Sequence, residues 1–226
     1  APTQLVAQGT IPSVPVGTLS TNATVVRAGT KPTLTWNITY PSVVKDYVTV
    51  TPPSTVTPKQ TLFVDVRVLG AGVTASQSNS SSFSYVPTEA QLKYDNSSYG
   101  RIFYGRNTDV NPNTIVYTRQ VLAGKPLKFG GRYFFNNAWG PTYTTDSGTQ
   151  NIRTLVCGDT PPSNLPGYNA PSLESFLKPY LDASGKVKIG PMDVIVYMEL
   201  THSDSQMSNS GYDLQDMVLL VTFRTN

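Results

Sequence analysis

The sequence has little of the chemistry that catalytic and metal sites usually need. Its 226 residues include one His and one Cys, whereas a zinc site takes three or four such ligands. The motifs HExxH, CxxC and GxSxG and the phosphate loop are also absent from the sequence. We therefore predict that the protein is not an enzyme, has no catalytic residues, and binds no metal or cofactor.

The two rare residues do not change this expectation. His202 stands next to Ser203 and Asp204, but neighbours on one loop cannot face one another as nucleophile, base and orienting acid. Cys157 ends the apolar run 152–156, and a thiol in that setting is expected to be buried and structural.

Carboxylates near the end of the sequence offer another route to chemistry. Asp193 and Glu199 share a strand face but lie about 20 Å apart at the rise of a strand, too far for a pair of glycosidase carboxylates. Calcium binding by loop oxygens is the alternative, although the twelve-residue calcium loop is missing. The acidic residues concerned are Asp193, Glu199, Asp204, Asp213 and Asp216.

Charge is scarce as well. Charged residues make up 14% of the chain and the net charge is +3, against about 25% charged residues in an average soluble domain. Nucleic-acid-binding domains concentrate Lys and Arg on one face, so we expect no nucleic-acid partner. No run of about 18 apolar residues occurs, so we expect no membrane span.

Thr, Ser, Asn, Gly and Pro take the place of charge, and this composition favours strands and turns over helices. The clearest strand is Leu62–Leu69, where apolar and polar side chains alternate. Such a series of short strands indicates an all-β protein, either a sandwich or a barrel. We predict the other strands at 34–40, 46–50, 83–86, 99–104, 114–119, 127–135, 151–157, 186–189, 193–201 and 214–224.

The segments between these strands are expected to be irregular. Three prolines make 51–58 a stiff connection that cannot lie in the middle of a sheet. Residues 70–82 and 136–149 are predicted to be long loops. Gly130-Gly131 is predicted to form a bulge or turn.

One short helix is predicted in a long insertion near the C-terminal strands. Ser172 is its N-cap, and Leu173, Phe176 and Tyr180 follow at helical spacing. The composition shows no break, so we predict a single domain over 1–226. Residues 1–33 are proline-rich and poor in charge, and we expect an extended N-terminal segment there.

Aromatic residues are abundant, with 13 Tyr, 8 Phe and 2 Trp. Trp139 and Tyr143 flank Gly140-Pro141 in a predicted loop, where their rings could form an apolar platform for a sugar. The alternative is that both rings cap the core, since amphipathic rings suit the margin of a core.

The first residues, Ala1-Pro2-Thr3, resemble what remains after a signal peptidase cuts at a small-x-small site. We therefore expect an exported protein at the cell surface, associated with an outer membrane, or extracellular. The single Cys cannot form an internal disulfide, and a core of this size can suffice without one.

Three segments, 101–105, 189–202 and 211–223, resemble exported proteins of mucus-dwelling gut bacteria that are encoded beside type IV pilus-like genes. The resemblance implies an immunoglobulin-like β-sandwich related to archaeal type IV pilus subunits. These are strand segments, so no functional residue carries over. Residues 1–33 cannot supply the long apolar N-terminal helix of a pilin, which favours an accessory component over a filament subunit.

These observations predict a non-enzymatic, exported structural or interaction protein of a type IV pilus-like or cell-surface assembly. Its partners are expected to be proteins of that assembly or of a host surface, bound through sheet edges or exposed loops. Residues 1–33 are a candidate for a donated or accepted strand. The alternative is a carbohydrate-binding adhesin that uses Trp139 and Tyr143.

Overall fold

A computed structural model of the chain describes residues 16–21, 34–39, 42–76, 83–162 and 177–225. The protein is mostly β, as the composition predicts. The strands preceding the first large sheet are β1 (Val16–Thr21) and β2 (Leu34–Thr39), which pair with each other. A single turn of α-helix, α1 (Val44–Tyr47), leads into the remainder of the structure.

Two larger antiparallel sheets make up the sandwich. In sheet order, the first contains β3 (Val48–Thr51), β4 (Thr55–Pro58), β11 (Leu127–Phe135), β8 (Thr88–Tyr94) and β9 (Gly100–Gly105). Two short strands, β12 (Ala138–Trp139) and β13 (Tyr143–Thr144), also pair with β11. The second contains β10 (Ile115–Val121), β5 (Leu62–Gly70), β16 (Met217–Arg224), β15 (Asp193–Met198) and β14 (Ile152–Val156).

The inner faces of these two sheets form the main core. On β5, Val64 and Val66 are fully buried, and they share the core with Leu92 of β8 and Phe129 of β11. Each such side chain contributes roughly 1.5–3 kcal/mol when it leaves water. The alternation predicted for Leu62–Leu69 is therefore confirmed.

The outer face of the five-stranded sheet is covered as well. Ile195 and Tyr197 of β15 pack under Leu177, Val187 and Tyr212, in a second buried cluster. A strand buried on both faces reads as a continuous apolar run. This explains why the C-terminal strands have the most hydrophobic sequences in the chain.

The proline-rich stretch 51–58 was wrongly predicted to stay out of the middle of a sheet. β4 lies between β3 and β11, with Val56 opposite both Val50 and Leu127. The prolines stand at the turn before β4 and at its last residue, so the N–H groups between them remain free to pair.

Gly130-Gly131 was wrongly predicted to interrupt β11. The strand runs in unbroken register with β8 from Leu127 to Tyr133. The glycines instead permit close packing, because a Cβ on Gly131 would lie 3.0 Å from the Glu89 carbonyl oxygen and from the Leu200 side chain.

The two predicted long loops also contain strands. Residues 70–82 include β6 (Thr74–Ser76), which pairs with β7 (Phe83–Tyr85), and 77–82 lie outside the described residues. Residues 136–149 contain β12, β13 and a 3-10 turn at Thr145–Ser147.

Two smaller predictions need correction. Part of the strand expected at 46–50 is α1, and the strand expected at 186–189 is a single bridge between Leu181 and Val187. Most of the predicted helix at 172–180 lies outside the described residues. Its described end is a 3-10 turn, Lys178–Tyr180. In the part of the chain that is described, no helix has the length and apolar character needed to cross a membrane.

Candidate functional site

The first sheet of the sandwich, which contains β8, β9 and β11, carries on its outer face a buried carboxylate between two arginines. Glu89 of β8 is 1% exposed. Arg101 Nε on β9 donates to Glu89 Oε2 at 2.7 Å, and Arg132 Nε on β11 donates to Oε1 at 3.1 Å. Since side chains alternate along a strand, these three residues point away from the core that holds Ala90 and Phe129.

Glu89 is ionised in this setting. Burial opposes the charge and raises its pKa, but hydrogen bonds from Gln91, Arg101 and Arg132 outweigh burial and hold the pKa below its usual value. The two guanidinium groups against one carboxylate leave this part of the surface with one positive charge.

Aromatic rings surround the ion group. The Arg132 guanidinium carbon lies 3.9 Å from the centre of the Trp139 ring, and the Arg101 guanidinium carbon lies 4.9 Å from the centre of Tyr104. Trp139 and Tyr104 remain 37% and 44% exposed. We call this set the aromatic–arginine cluster; its members are Glu89, Arg101, Tyr104, Arg132, Phe134 and Trp139.

A tight hairpin brings Trp139 to this face. Asn136 and Asn137 both have positive φ, at 51° and 58°, the conformation of the two-residue turn that suits the twist of a β-hairpin. β12 then folds back on β11 and places Trp139 opposite Phe134, with ring centres 5.1 Å apart.

Tyr143, the other aromatic residue predicted for a site, lies on the inner face. β13 pairs it with Gly131, whereas Trp139 is paired with Phe134. Gly131 and Phe134 are three positions apart on one strand and so face opposite sides of the sheet. Tyr143 is half-buried against the main core, so the structure does not bring the two rings together.

β9 forms one edge of this first sheet, next to β8. It pairs with β8, and among the described residues no backbone hydrogen bond reaches its other side. Arg101 and Tyr104 are both exposed on this strand. An unpaired strand edge therefore adjoins the aromatic–arginine cluster.

A second candidate site is a buried group of three carboxylates. One oxygen from each of Glu199, Asp213 and Asp216 lies within 4.8 Å of the others, and the residues are 0%, 4% and 6% exposed. Glu199 follows β15, and the two aspartates precede β16. The sequence analysis grouped these three residues with Asp193 and Asp204 as possible calcium ligands, and the structure brings Glu199, Asp213 and Asp216 together.

Hydrogen bonds already occupy Glu199. Its Oε1 accepts from Thr201 N, Thr201 Oγ1 and His202 N, and its Oε2 accepts from the backbone N–H groups of Asp213 and Leu214. Asp216 Oδ2 accepts from Leu200 N at 2.7 Å. The spacing is that of a cation site, but a cation would have to displace these donors from Glu199.

Burial also favours the protonated form of both aspartates. Burial raises the pKa of Asp213 to about 7, and the charge of Glu199 adds to this effect. Burial and the same charge raise the pKa of Asp216 well above its usual value. Without a bound cation, burial therefore favours protons on Asp213 and Asp216, and the hydrogen bonds of the group join the end of β15 to the loop before β16.

Of the other residues considered from the sequence, His202 adjoins this group, with its Nδ1 3.5 Å from Glu199 Oε1, whereas Asp193 and Asp204 are not part of it. Asp193 accepts a hydrogen bond from Gly190 N, and Asp204 accepts one from Gln150 N. Ser203 Oγ contacts Ser205 and Gln206. Cys157 is half-buried, and not fully buried as expected.

Comparison with known proteins adds no relative: no family, no curated protein and no solved structure matches this chain.

Proposed function

We propose that this chain is a non-enzymatic, exported structural or interaction protein of a type IV pilus-like or cell-surface assembly, and that it binds a protein partner through the aromatic–arginine cluster. The observation that carries the proposal is the exposure of Trp139 and Tyr104 around a pair of arginines. Trp, Tyr and Arg are the residues that dominate the energetics of protein interfaces.

Contacts within the chain hold the side chains of the cluster in place before any partner binds. Glu89 fixes Arg101 and Arg132, and Arg132 in turn supports the Trp139 ring. A preorganised surface loses less conformational entropy on binding than a mobile one.

The unpaired edge of β9 favours a partner that binds as an extended strand. A strand that adds to this edge would pair with its backbone and lay alternate side chains over Tyr104 and Arg101. Residues 1–33 of another copy are one source of such a strand, as the sequence analysis suggests.

The test is capture from the cell envelope of the source organism with the tagged chain and two variants. Trp139→Ala removes the central ring of the cluster. Leu122→Ala is the matched control, because Leu122 is an apolar residue that is 49% exposed at the turn after β10, outside the cluster. We expect the wild type and Leu122→Ala to retain the same envelope proteins and Trp139→Ala to lose them. Equal capture by all three would exclude the cluster as the binding surface.

A second function, a carbohydrate-binding adhesin, is favoured by a different observation. Arg132 already occupies one face of the Trp139 ring, which weakens Trp139 as a sugar platform. A cavity next to the cluster, which shares Phe134 with it, has the polar and aromatic lining that a sugar requires.

A further inference from the structure

A cavity of about 410 Å³ opens beside the β11–β12 hairpin. Binding sites for small ligands are typically about 300–1,000 Å³, so the space suits a short saccharide. The side chains that matter for recognition are Tyr85, Arg106, Phe134, Phe135, Asn136 and Asn137.

The frame of the cavity is fixed by the backbone. Phe134 N donates to Pro87 O at 2.8 Å, which joins β11 to the start of β8. The turn at Asn136 and Asn137 is held by the pairing of Phe135 with Ala138. Among the described residues neither Asn side chain has a hydrogen-bond partner, so both amides are free to donate and to accept.

Arg106 gives the cavity its charge. Among the described residues, no ion pair engages its guanidinium and no carboxylate lines the cavity. The nearby carboxylate of Asp109 accepts a hydrogen bond from the Arg106 backbone N–H at 2.8 Å. The cavity therefore presents an unpaired cation that can form two parallel hydrogen bonds to a carboxylate.

We propose that this cavity binds an acidic saccharide, with the sugar carboxylate on Arg106 and sugar hydroxyls on Asn136 and Asn137. Hydroxyls both donate and accept, as the two amides do. Phe135, which is 43% exposed, supplies an apolar ring for the C–H face of the sugar. The inference makes the second proposed function specific and does not depend on the first.

Calorimetric titration with tetragalacturonic acid tests the proposal, with its methyl ester and maltotetraose as uncharged ligands. We expect the acid to bind and both uncharged ligands to bind at least about tenfold more weakly, because each lacks the charge-assisted hydrogen bonds to Arg106. An acetylated tripeptide with a free carboxylate tests whether any carboxylate suffices.

Two variants assign the binding to the cavity. Arg106→Ala is expected to weaken binding of the acid by about tenfold or more. Lys188→Ala also removes one exposed positive charge, but outside the cavity, and is expected to leave binding within about twofold. Circular dichroism of both variants checks that they are folded.

Several results would overturn the proposal: no binding of the acid, equal binding of its methyl ester, equal binding of the tripeptide, or binding insensitive to Arg106→Ala. Tight binding of maltotetraose with no preference for the acid would leave carbohydrate binding standing and reject the acidic ligand. None of these results bears on capture of a protein partner through Trp139.

Discussion

Trp139 and Tyr143 are four residues apart in the chain and lie on opposite faces of the same sheet. Trp139 covers Arg132 on the outer face, and Tyr143 packs against the core on the inner face. Removal of the two rings is therefore expected to lower the free energy of unfolding by different amounts.

Tyr143→Ala is expected to lower the free energy of unfolding by about 2 kcal/mol, because it leaves a gap beside the core. Trp139→Ala is expected to cost less than about 1 kcal/mol, since its ring packs on the surface. Urea unfolding of both variants measures the difference. A larger loss of stability for Trp139→Ala would show that this ring mainly stabilises the fold and is not primarily a binding residue.

Glu89→Gln is expected to destabilise the protein by about 1–3 kcal/mol, because the hydrogen bonds from Arg101 and Arg132 then lose a buried, charged acceptor. Asp146→Asn is the matched control. Asp146 pairs with Lys93 and Lys128, which lower its pKa to about 2, but the pair is exposed to solvent and worth less than about 1 kcal/mol. Chemical unfolding at pH 7 measures the free energy of unfolding of both variants. Similar losses would contradict the conclusion that burial makes the Glu89 ion pairs stronger than those of Asp146.

Stability is expected to fall as pH rises from 5 to 8. The pKa of Asp213 is about 7 in the folded protein, above its ordinary value of 3.8, so its contribution is complete below pH 4 and is lost as the pH passes 7. For this residue alone, the loss between pH 5 and pH 8 is about 2–3 kcal/mol. Unfolding at several pH values should show this slope, and a smaller slope for Asp213→Asn.

Unfolding measurements also distinguish whether the group of three carboxylates is neutralised by protons or by a bound cation. If the group binds no cation, adding calcium at pH 8, where Asp213 is mostly ionised, should leave the unfolding midpoint unchanged. A calcium-dependent rise at pH 8 that disappears in Asp213→Asn would show instead that the three carboxylates bind a cation.

Gly131→Ala is expected to cost about 1–3 kcal/mol, because its Cβ would press on the Glu89 carbonyl oxygen and on Leu200. Gly100→Ala, on the exposed edge strand, meets only the Leu92 carbonyl oxygen at 3.9 Å and should be close to neutral. Thermal unfolding of the pair tests whether close packing is the reason for glycine in β11.

The strands with one buried and one exposed face were predictable, because alternation is a local property of the sequence. Leu62–Leu69 shows this most clearly. β8 has the same pattern, with Thr88, Ala90, Leu92 and Tyr94 facing inward, but the prediction missed it. Its alternate positions hold Glu89, Gln91 and Lys93, and these polar residues, two of them charged, make a central strand hard to recognise.

The candidate site was only partly predictable. An exposed Trp139 could be expected from its polar, glycine-containing surroundings, but its partners Arg101 and Arg132 come from two other strands. The carboxylate group depends likewise on the contact of a strand end with a distant loop. Such long-range pairings are set by sheet topology, which the local pattern does not contain.

The position of β16 has a consequence for the order in which the chain can fold. Met217–Arg224 lies in the middle of its sheet, between β5 and β15, although it is the last strand of the described chain. During synthesis the neighbours on either side exist before the strand that joins them. The sheet therefore cannot close until these residues are available, and a chain shortened before Met217 should remain unfolded and open to proteases.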